Sequence, residues 1–118
     1  MRKDGINMEN ILDTVQMLLA KRDGSIIDLA VEQTAEVVCA GMEYARKNPR
    51  KNDNWDIVWA IPVSDDTEIV IGDRHTDFCP YVAWYCYNGS DYRTGDYTQT
   101  FGVVFQCALE KIRKELGL

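Results

Sequence analysis

Tyr81-Val82-Ala83-Trp84-Tyr85-Cys86-Tyr87-Asn88-Gly89 holds both the alternation and the turn from which the fold can be read. Tyr81, Ala83, Tyr85 and Tyr87 alternate with Val82, Trp84 and Cys86, the period of two expected of a strand with two distinct faces. Asn88-Gly89 then supplies the strongest short hairpin signal, because both residues tolerate positive φ. A polar strand over Ser90–Tyr97 forms the return arm.

Upstream, Trp55, Ile57, Trp59, Ile61 and Val63 alternate with Asp56, Val58, Ala60 and Pro62, a second strand with one bulky face. Pro62 cannot donate to a ladder, so that end sits at an edge or leaves the sheet. Ser64-Asp65-Asp66 reads as a turn and Thr67–Ile71 as the strand returning from it. A loop over Gly72–Pro80 leads to Tyr81.

Further out the period lengthens to that of helices. Asn7 can cap a helix whose apolar positions are Met8, Ile11, Leu12, Val15, Leu18 and Leu19, ending at Lys21-Arg22-Asp23-Gly24. Ser25 opens a second helix running to Lys47, before Asn48-Pro49, with a buried stripe of Ile27, Ala30, Val31, Val38, Gly41, Met42 and Ala45. A last helix, capped by Thr98 or Thr100, buries Phe101, Val104, Phe105, Ala108, Ile112 and Leu116 and leaves Glu110, Lys111, Arg113, Lys114 and Glu115 in solvent. Lys47–Asn54 is a short linker. The expected class is α+β: an antiparallel β-meander of three to four strands packed on one face by helices, in the order ααββββα, with residues 1–118 forming one globular domain.

The 118 residues contain 13 Lys and Arg against 19 Asp and Glu, a net charge of −6, so long-range electrostatics repel nucleic-acid backbones and anionic membranes. With 46% apolar and 27% charged residues the composition is that of an ordered domain. The charge is concentrated: residues 53–96 hold nine acids and two bases, a net of −7. No secretory signal pattern opens the chain, and no apolar run approaches the roughly 20 residues of a membrane span, so a cytoplasmic location is expected. Cys39, Cys79, Cys86 and Cys107 form no C-x-x-C pair and read as reduced, mostly buried thiols.

Three groups of residues could carry function. The loop Asp73-Arg74-His75-Thr76-Asp77-Phe78-Cys79 brings the single histidine near a thiol and two carboxylates, which would serve acid–base or thiolate chemistry if His75 reached Cys79; a polar turn explains it more simply. Arg46, Lys47, Arg50 and Lys51 form a small basic cluster, most simply a solvated helix end. The third group combines carboxylates with aromatics, Asp65, Asp66, Glu68, Trp84, Tyr85, Tyr87, Asp91, Tyr92, Asp96 and Tyr97. A meander covered on one face leaves the other open, and tyrosine and tryptophan suit a protein interface.

Pro80-Tyr81-Val82-Ala83-Trp84-Tyr85, continuing through Tyr87-Asn88-Gly89-Ser90-Asp91-Tyr92 and Gly95-Asp96-Tyr97 into the last helix, resembles small accessory proteins of Gram-positive phages and conjugative elements. The resemblance covers about the last 40 residues and implies a mobile-element context without implying an activity or site residues. The expected function is that of a non-enzymatic acidic binding protein with an open acidic, aromatic sheet face. In that context it would be an anti-CRISPR-like inhibitor occupying the basic nucleic-acid-binding surface of a host defence protein. No direct nucleic-acid contact, membrane, metal or cofactor is expected, and a homodimer is compatible with this reading. The alternative is a binder of a nucleotide-like molecule, with Trp84 and Tyr92 stacking on it and Arg74 or Arg93 pairing with it. An enzyme using His75 and Cys79 ranks third.

Overall fold

The computed structural model describes residues 11–15 and 27–117 of the chain. Within them the alternating stretches form one antiparallel sheet whose strand order follows the sequence: β1 (Lys51–Asn52), β2 (Trp55–Pro62), β3 (Thr67–Asp73), β4 (Tyr81–Tyr87) and β5 (Asp91–Thr98). Residues 11–15 are helical, helix α1 (Ile27–Lys47) precedes the sheet, and helix α2 (Phe101–Leu116) follows it. The class is α+β with helices on one side of the sheet, but there are five strands, not three to four. The extra one, β1, lies in the stretch expected to be a linker. It pairs Lys51 with Asp56 and Asn52 with Trp55 around a tight turn in which Asp53 has φ 59°. Two residues are too few to show a period, which is why the pattern misses it. Pro62 ends β2 well beyond the part that β1 covers, so its missing N–H interrupts nothing there.

Helix α1 stops at Lys47 as expected, where Asn48 returns its side-chain amide to the Tyr44 carbonyl at 2.9 Å. The caps at Asn7 and Ser25, the stop at Lys21–Gly24, the positions Met8, Leu18 and Leu19, and the side chains of Ile27, Ala30 and Val31 lie outside the described residues. The buried stripe runs through Val37, Ala40, Gly41 and Ala45, an i, i+3, i+4, i+8 pattern. Met42 is one position, about 100°, off that line and is 47% exposed, contrary to expectation. Thr100 caps α2, its hydroxyl accepting from the Val103 N–H at 3.3 Å, and Gly117 closes the helix in the left-handed conformation. Val104, Phe105, Ala108 and Ile112 are buried as expected. Lys111, expected in solvent, is buried instead, because its ammonium group reaches Asp96 of β5 at 2.6 Å.

Two apolar cores result. The larger lies between helices and sheet and includes Val15, Val37, Trp59, Ile61, Ile69, Ile71, Val104, Phe105 and Ile112; full burial of each such side chain contributes about 1.5–3 kcal/mol. The second occupies the opposite face: Trp55, Ile57, Ala60, Val70, Val82, Trp84 and Cys86, with Tyr44 and Tyr92 packed against them. That face is therefore filled, and the reason is curl. The pairing register shifts in β2 between Ile57 and Trp59 and in β5 opposite Trp84, where Thr94 has φ 59°. Such irregularities bend strands and increase twist. In a flat sheet β2 and β5 would lie about 14 Å apart, yet the rings of Trp55 and Tyr97 meet at 5.6 Å.

All four cysteines are free; Cys86 alone is fully buried, Cys79 and Cys107 are half-buried and Cys39 is exposed, so the expectation of mostly buried thiols fails. Among the described residues no helix is long and apolar enough to cross a membrane.

Candidate functional site

Ser64, Asp65 and Asp66 form the β2–β3 turn, braced by short polar side chains. The hydroxyls of Ser64 and Thr67 both donate to Asp66 Oδ1, at 3.0 and 2.9 Å, while the Val63 and Ser64 N–H groups donate to the Thr67 carbonyl. The Thr67 hydroxyl, then that of Ser64, holds the Asp66 carboxyl below its ordinary range, so it is ionised at neutral pH. The neighbouring β4–β5 hairpin turns through Asn88 (φ 55°) and Gly89 (φ 78°), and the Asn88 N–H donates to the Asp66 carbonyl at 2.8 Å. Two turns distant in sequence are thereby joined into one rigid end of the sheet.

The carboxylates here differ in how far they are compensated. Asp65 and Asp66 are exposed and make no ion pair among the described residues. Asp91 accepts from Arg93 Nε at both oxygens, 3.0 and 3.1 Å. Glu68 points into the second face and pairs with Arg50. Burial works to lower the Arg50 pKa, but the hydrogen bond and charge of Glu68 prevail and raise it. Between the turns lies a hollow of about 130 Å³ lined by Tyr44, Asp65, Asp66, Glu68 and Asn88, among others.

The other expected site residues lie elsewhere. Trp84 is 5% exposed, its ring enclosed by Trp55 and Tyr92 at 5.6 and 5.3 Å. Tyr92 is half-buried beside Cys86, and burial raises the pKa of both groups. Tyr85 and Tyr87 stack on one another on the helix side, with the Lys111 ammonium 5.0 Å from the Tyr85 ring. Asp96 is paired to Lys111 on that same side. Tyr97 is 55% exposed, at the opposite end of the sheet from Asp65. The aromatics and carboxylates thus do not share one open face. Asp65, Asp66, Glu68 and Asp91 gather at the turn end, and the rings are divided between two cores and a rim.

Arg74 and Arg93, the cations considered for a stacked ligand, are placed over Trp55 at 4.7 Å and against Asp91. His75 Nε2 lies 2.8 Å from Asp56 Oδ2 and Nδ1 3.5 Å from Asp73 Oδ2, so both ring nitrogens face carboxylates, and Cys79 is held through its backbone N–H by Gln99. Hydrogen bonds from His75, then Lys51, keep the Asp56 carboxyl below its ordinary range. The braces Ser64, Thr67 and Asn88 were missed as site residues; the signal was present in Ser-Asp-Asp-Thr, a sequence whose hydroxyls can cap the turn carboxylate. Comparison with protein-family models, curated proteins and solved structures finds no match.

Proposed function

We propose that the chain is a non-enzymatic acidic binding protein that sets the turn end of its sheet against a basic surface of a protein partner. The observation that supports this reading is the pair Asp65 and Asp66, carboxylates without a cation, presented on two interlocked turns. Such a site gains Coulomb attraction without first breaking an internal ion pair, and its rigidity limits the entropy lost on docking. In the mobile-element context implied by the resemblance of the last 40 residues, the partner is a host defence protein and the surface its nucleic-acid groove, so binding inhibits by occupation. The effective part of the interface is then polar and charged, with Trp84 supporting it from inside.

Affinity capture from a Gram-positive lysate tests this. The wild-type chain and a variant carrying Asp65→Lys and Asp66→Asn are immobilised and eluted through a salt gradient. The asparagine retains an acceptor for Ser64 and Thr67. A basic protein held by the wild-type chain, released by salt or by competing duplex DNA and absent from the variant, is expected. The same proteins retained equally by both chains would overturn the proposal.

A further inference from the structure

We draw no further inference here: the strongest candidate, the apolar-floored groove of about 640 Å³ between the end of α1 and the start of β2, carries nothing, because the cations in its lining, Arg46, Arg50 and Lys51, are already paired with Glu43, Glu68 and Asp56 and nothing in the structure shows what covers it.

Discussion

Substituting Gly41 by alanine sets two well-measured effects of opposite sign against each other. Helix propensity alone favours alanine in the middle of α1 by about 1 kcal/mol. The structure opposes it, because a Cβ at Gly41 would lie far inside contact distance of Nε1, Cε2 and Cδ1 of Trp59. That indole is fully buried, donates its N–H to the Val37 carbonyl at 3.3 Å, and meets Phe105 edge-on at 5.6 Å, so it has no free direction in which to move. Overpacking of this kind costs about 1–3 kcal/mol, and a displaced indole leaves a buried donor without an acceptor, about 1–3 kcal/mol more. After subtracting the propensity gain, the expected net loss is about 3 kcal/mol, or about 12 °C in Tm for a chain of this length. Gly102→Ala is the control: it lies in the first turn of α2 with nothing within 4 Å of an added Cβ, and should stabilise by a few tenths of a kcal/mol, about half the interior value or less. Urea melts followed by far-ultraviolet circular dichroism and tryptophan fluorescence measure both. A Gly41→Ala chain as stable as the wild type would refute the reasoning, since the helix would then have moved away from Trp59 without penalty.

Three further outcomes are expected. Asp96→Ala should destabilise by about 2–3 kcal/mol by leaving the buried Lys111 cation uncompensated, whereas Lys111→Met, which leaves a half-exposed carboxylate to water, should be close to neutral; equal losses in chemical denaturation would contradict this asymmetry. Thr94→Asn should stabilise by about 1 kcal/mol, because a β-branched residue at φ 59° is strained where asparagine is tolerated; a loss of stability in the same assay would show that the threonine side chain has another role. The Cys86 thiol and the Tyr44 and Tyr92 hydroxyls have pKa values raised first by burial, so the unfolded chain releases these protons before the folded one does. Their contribution is complete below the unfolded values and is lost as pH rises through the folded ones, so stability should fall from about pH 9 upward. Cys86→Ala should weaken the early part of that fall, and a flat profile between pH 8 and 10 would oppose it.

The alternation in 55–63 and 81–87, the turns at Ser64–Asp66 and Asn88-Gly89, the stop before Asn48-Pro49 and the spacing in 101–116 were sufficient to read helices α1 and α2, the four long strands and their antiparallel order. These are local signals, written in periods of two and 3.6 and in residues that tolerate positive φ. The acidic turn at Asp65 and Asp66 was legible for the same reason. What depended on tertiary structure was which faces meet. Each strand's pattern says that it has two faces, but curl from the irregularities at Val58 and Thr94 brought Trp55 to Tyr97 and gave the second face a core of its own, enclosing Trp84 where an open surface was expected. Similarly, Lys111 falls among charged residues in sequence and becomes internal because Asp96 lies across from it, and Phe78 is exposed because bonds from Arg74, Thr76 and Gln99 hold its loop away from the core. Hydrophobic period determines secondary structure residue by residue, whereas burial is a property of surfaces that touch. Which surfaces touch follows from the twist of the whole sheet, and no single stretch of the chain encodes that.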